Sequence, residues 1–88
     1  MARNDSGAAT VDMKPITTQR ELEFVVFCIE NLATSLHAPS DRVYKALVGK
    51  GNILNQYIVP CYETLHTQGR EYIVNDIREV MAERGVTV

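Results

Sequence analysis

Tryptophan is absent, cysteine and proline are scarce, and no apolar run exceeds the six residues Phe24 to Ile29. Glu23 and Glu30 bound that run, which falls far short of the roughly 20 residues that span a bilayer. No transmembrane helix is expected. A secretory leader needs a basic start followed by an apolar stretch, but Arg3 leads into Asn4, Asp5, Ser6 and Gly7, with Asp12 soon after. These features indicate a cytoplasmic protein. The two cysteines, Cys28 and Cys61, each sit in an apolar helical pattern and read as reduced core thiols, not as a disulfide framework. A cation surplus is also missing. The net charge of −2 and a pI near 5.6 give no global attraction to nucleic acid or to an anionic membrane.

What is present is helical periodicity. Residues 1–16 are polar and read as a loosely attached tail, 17–85 as the helical domain and 86–88 as a short C-terminal tail. Thr18 followed by Glu21 is a capping-box signature that starts the first helix. Leu22, Val25, Val26, Ile29, Leu32, Ala33 and Leu36 then recur at three- and four-residue steps, predicting one buried stripe that runs to about His37. Ala38-Pro39 ends it, because proline lacks the amide hydrogen and restricts the residue before it. Ser40 is the expected N-cap of a second helix with Val43, Tyr44, Leu47 and Val48 inward, and Gly49-Lys50-Gly51 stops that helix through left-handed glycine.

Asn52 is positioned to cap a third helix carrying Leu54, Tyr57, Ile58, Cys61 and Leu65 on one face, kinked or broken at Pro60. Gly69 closes it. Arg70 to Arg84 forms the fourth helix, with Ile73, Ile77, Val80 and Met81 inward, Asn75, Asp76, Glu79 and Glu83 outward, and Gly85 as its stop. The fold class is all-α, a small bundle of about four helices. A core of this size buries only about 60% of its unfolded-chain surface, so self-association into a homodimer is the default expectation.

The segment Cys61-Tyr62-Glu63-Thr64-Leu65-His66-Thr67-Gln68-Gly69, followed by Glu71 to Ile77, resembles a recurrent box in the bacterial domain-of-unknown-function family 3791. The opening Glu21 to Glu30 resembles that family's first helix, so the similarity covers about Glu21 to Met81. The resemblance implies a small helical domain. Members tend to be encoded near other small proteins, some resembling ADP-ribosyltransferases, which suggests an antitoxin-like or accessory role. Pro60 departs from the family pattern, as does the length of the leading tail. No catalytic residues come with the family.

The chain offers little chemistry. Cys28, Cys61, His37 and His66 are zinc-type ligands, but Cys61 and His66 are five apart and Cys28 and His37 nine, not the close pairs of structural zinc sites, so no metal is expected. Burial on an apolar stripe raises a thiol pKa, which leaves Cys61 inert. Gly49-Lys50-Gly51-Asn52 lacks the strand and the spacing of a phosphate loop. His66 at the end of the third helix has a structural role as its first reading, and a Tyr62/His66/Asp76 proton-transfer cluster as its second. Helices two and three also permit a helix-turn-helix reading, yet Asn52 to His66 contains no Lys or Arg.

Phe24 and Phe27 fall opposite the expected stripe of the first helix. Either that helix is covered on both sides, or the two phenylalanines form a docking or dimerisation patch. The preferred function is a non-enzymatic helical protein-interaction module without cofactor. Its partner is another protein, expected to be a toxin-like product of a neighbouring gene, and its interface residues are Phe24, Phe27, Tyr62, His66 and Tyr72. The alternatives are a DNA-binding regulator of helix-turn-helix type and a small enzyme using Tyr62, His66 and Asp76.

Overall fold

A computed structural model describes residues 14–49 and 51–88. The tail expected over residues 1–16 therefore lies outside the described residues as far as residue 13, as does Lys50 in the expected glycine stop. Four α-helices and one π-helical turn follow in order: α1 (Gln19–Leu36), α2 (Ser40–Val48), the π turn (Leu54–Ile58), α3 (Tyr62–Leu65) and α4 (Arg70–Glu83). Helix α1 is the centre of the bundle and packs on both α2 and α4, while α2 touches the π turn. Among the described residues there is no strand, and no helix is long and apolar enough to cross a membrane.

The start of α1 follows the expected chemistry with one shift. Thr18 Oγ1 accepts the Glu21 amide at 3.1 Å, the forward half of a capping box. The return half reaches one residue further out, since Glu21 Oε1 accepts from the Thr17 amide at 2.9 Å and the Thr17 hydroxyl at 3.2 Å. Glu21 Oε2 pairs with Lys14 Nζ at 2.9 Å, and Lys14 is itself anchored to Asn55, its amide donating to the Asn55 carbonyl and its carbonyl accepting from Asn55 Nδ2. Lys14 to Ile16, assigned to the tail by composition, is thereby fastened to the bundle, and Ile16 packs on the core. The Thr17 amide, then Lys14 and the Thr17 hydroxyl, hold the Glu21 carboxyl well below the ordinary range, at about 2. Its contribution to stability is present above about 4.5, the ordinary value, and is lost as pH falls towards 2. Melting temperature should accordingly fall across that acid window. Glu21→Gln should melt lower at neutral pH and show a shallower acid dependence.

The buried face of α1 shares Val25, Leu32 and Ala33 with the expected stripe, with Ile29 and Leu36 partly buried against the core, but is rotated from it. Glu21, Phe24, Val25, Cys28, Leu32 and Ala33 are buried, whereas Leu22 and Val26 are 47% and 48% exposed. At 100° per residue this is a rotation of roughly 60° from the predicted face. The helix is apolar over more than half its circumference, so periodicity alone left its rotation open. Phenylalanine is larger than Leu22 or Val26, and Phe24 finds the ring of Tyr62 edge-on at 5.4 Å, which selects the observed side.

Helix α1 ends in a left-handed turn at His37 (φ 54°, ψ 45°), and the Ala38 amide reaches back to the Ala33 carbonyl at 3.0 Å. Glycine is the residue this conformation favours. Because the left-handed region costs an L side chain roughly 1–2 kcal/mol, His37→Gly should raise the melting temperature by a few degrees, and His37→Val should lower it. Thermal denaturation of the two variants side by side checks this.

Three expectations for α2 and its ends are corrected. Ser40 does not cap α2; it is the first helical residue after Pro39, and its hydroxyl donates to Glu30 Oε2 at 3.1 Å, closing the corner between α1 and α2. Tyr44, expected inward, is half exposed, and Val43 and Leu47 alone are fully buried on α2. Neither Gly49 nor Gly51 is left-handed; Asn52 takes that role at φ 43°, its amide bonding the Gly49 carbonyl. Gly51 is small for another reason. A Cβ there would stand 3.0 Å from Val86 Cγ2, so the chain after α4 crosses directly over it.

Pro60 breaks the third helix. The Val59 amide reaches five residues back to the Leu54 carbonyl, a π turn, and Pro60 follows with no amide to continue the ladder. The chain restarts as the four-residue α3. Asn52 does not cap this segment through its side chain, whose Oδ1 is buried without a hydrogen-bond partner among the described residues. Ile53 and Val59, absent from the predicted stripes, join Leu32, Val43, Leu47, Ile58 and Ile77 in the core. Helix α4 closes as expected at Gly85 (φ 67°), with the Val86 amide on the Met81 carbonyl at 2.8 Å.

Candidate functional site: an aromatic groove between α1 and α3

The break at Pro60 determines what α3 presents. Restarting at Tyr62, the chain brings Tyr62 and His66, one turn apart, against the first half of α1. A continuous ladder of rings results. Phe27 stacks on Phe24 at 6.3 Å, Phe24 meets Tyr62 edge-on at 5.4 Å, and Tyr62 stacks on His66 at 4.5 Å with the rings 9° from parallel. Phe24 is buried inside the ladder, between Phe27 and Tyr62, and Phe27 at one end is 38% exposed. The rings line a groove of about 280 Å³ whose other walls include Arg20, Glu23 and Ile73.

Four of the five interface residues nominated from sequence therefore meet in one place. Tyr72 does not line this groove and stands 56% exposed on α4. Phe24 and Phe27, expected together on the far side of α1, divide between core and surface. Arg20, Glu23, Gln68 and Ile73 complete the lining and were not legible in the sequence, since nothing in their spacing connects the start of α1 to the turn before α4.

The His66 ring does not bond a helix-end carbonyl. It lies flat on Tyr62, with Nε2 3.8 Å from Glu63 Oε1, and is 38% exposed. The Tyr62/His66/Asp76 cluster does not assemble, because Asp76 turns inward and accepts a hydrogen bond from the Tyr57 hydroxyl. This also corrects the outward placement of Asp76, which is half-buried. Burial first, and then the Asp76 carboxylate, push the Tyr57 phenol up. Tyr57 is a hydrogen-bond donor at neutral pH, tying the π turn to α4.

Both thiols are free. Cys28 is fully buried in α1, and burial pushes it up to about 12, while burial and then Asp76 also raise Cys61. Neither is a thiolate at neutral pH. Among the described residues no group of three or more His, Cys, Asp or Glu side chains is placed to hold a metal ion.

No curated protein and no solved structure matches the chain. A family model described as "Protein of unknown function (DUF3791)" matches residues 23–84, which run from the aromatic half of α1 through the Pro60 break to the end of α4. The chain belongs to that family.

Proposed function

We propose that this protein is a non-enzymatic helical interaction module that binds another protein through the aromatic groove between α1 and α3. The observation that carries the reading is the ring ladder from Phe27 to His66, anchored in the core at Phe24 and open to solvent at both ends. Aromatic rings fixed by packing supply large contact area with little side-chain entropy left to lose, which is what a binding hot spot requires. Arg20 and Glu23 give the groove a polar rim of both signs. The partner class that fits is a protein inserting an apolar side chain, and the family resemblance nominates the product of a neighbouring gene, a toxin-like enzyme for which this bacterial, cytoplasmic protein acts as antitoxin or accessory subunit.

Regulation of transcription is the weaker reading. A helix-turn-helix needs an unbroken second helix with cationic side chains, whereas residues 54–65 form a π turn, a proline turn and a four-residue helix without Lys or Arg. The experiment is co-expression with the products of the adjacent genes, followed by sizing of the purified complex. A stoichiometric complex that Phe27→Asp dissolves supports the module. A complex that survives Phe27→Asp places the interface elsewhere.

A further inference from the structure

A second concavity lies at the opposite end of α1, about 18 Å along the helix from Phe24 at 1.5 Å per residue. Its volume is about 430 Å³, within the roughly 300–1,000 Å³ typical of small-molecule sites. Three features of the sequence build it: the left-handed turn at His37, the start of α2 after Pro39, and the turn at Gly85 that folds Val86 to Val88 back over the bundle. The folded-back wall is held in place. Arg84 Nη1 donates to the Gly51 carbonyl and to Gln56 Oε1, both at 3.0 Å, and Val86 packs over Gly51.

The lining has an apolar floor, including Leu36, Met81 and Val86; its ionisable side chains are His37, Arg42 and Arg78, with no Asp or Glu, and Val88, the last residue, stands on its wall with its main-chain carboxyl. In a chain with 11 acidic and 9 basic residues, the side-chain charge of the lining is locally reversed, and its two guanidiniums outnumber that one carboxyl. Arg78 spends one donor on Ser35 Oγ at 3.0 Å; among the described residues Arg42 makes no side-chain hydrogen bond and neither guanidinium makes an ion pair. Two guanidiniums at the edge of a floor of aliphatic side chains are complementary to a molecule with one anionic head and an apolar body.

We propose that this cavity binds a small amphipathic anion, its alkyl body on Leu36, Met81 and Val86 and its carboxylate or phosphate head between Arg42 and Arg78. This site is separate from the aromatic groove and does not depend on it. The test titrates octanoate, octyl phosphate and octan-1-ol into the intact protein and follows amide resonances. One or both anions should shift His37, Ala38, Met81, Ala82 and Val86 saturably, and the tighter of the two identifies the head group. Octan-1-ol should bind about tenfold more weakly, as should the anions to Arg42→Gln/Arg78→Gln, because each loses charge-assisted hydrogen bonds. Ala82→Leu, on the cavity wall, should block the body while keeping both arginines. Phe27→Asp should leave this binding unchanged, which separates the result from the fate of the groove. Absence of saturable binding, octan-1-ol binding as tightly as the better anion, or shifts confined to the aromatic groove would each overturn the proposal.

Discussion

Phe24→Ala and Phe27→Asp, three residues apart on one helix, are expected to fail in different assays. Phe24 is a core residue clasped by Phe27 and Tyr62, so truncating it leaves a cavity costing about 3–5 kcal/mol, comparable to the entire stability of a domain this size. Far-ultraviolet circular dichroism and a thermal melt should show loss of the cooperative transition. Phe27 is more than a third exposed, and its replacement removes little of the monomer's core. Helicity and melting should survive, while a partner complex weakens by more than about 30-fold, the effect of losing a 2 kcal/mol hot spot and burying a carboxylate in its place. Equal unfolding of the two variants would make the ring ladder a purely structural feature.

Leu32→Ala should have the largest effect on folding away from that groove. Leu32 is fully buried on the helix that packs against both α2 and α4, so no neighbouring element can collapse into the space without opening another contact. The expected loss is about 2–5 kcal/mol, or a fall in melting temperature of roughly 10–30 °C. Leu32→Met, which conserves volume, should cost under about 1.5 kcal/mol. A small drop for both would mean that α1 is not the central helix.

The contrast between Phe24 and Phe27 also shows where sequence reasoning stopped. Local signals were legible: Thr18 and Glu21 marked the start of α1, Pro39 its end, and Gly85 the stop of α4, because caps, prolines and left-handed turns act over four or five residues. Tyr62 and His66 were also recognisable as a corner. Their meeting with α1 was not, since it requires the chain to break at Pro60, and the sequence allowed a kink as readily as a break. Tyr57 and Asp76, 19 residues apart, carry no mark of their pairing, and neither do Lys14 and Asn55, which bond across 41 residues.

By itself the sequence determined the approximate number and limits of the helices and the all-α class, which follow from periodicity, capping and composition, short-range or additive signals. It also determined the family, through the resemblance of the box at residues 61–69. Only the tertiary structure decided how α1 is rotated about its axis. An 18-residue helix with apolar residues around more than half its circumference leaves that rotation open by tens of degrees. The choice falls to shape, through the fit of Phe24 against Tyr62, and it is this choice that leaves Phe27 at the surface.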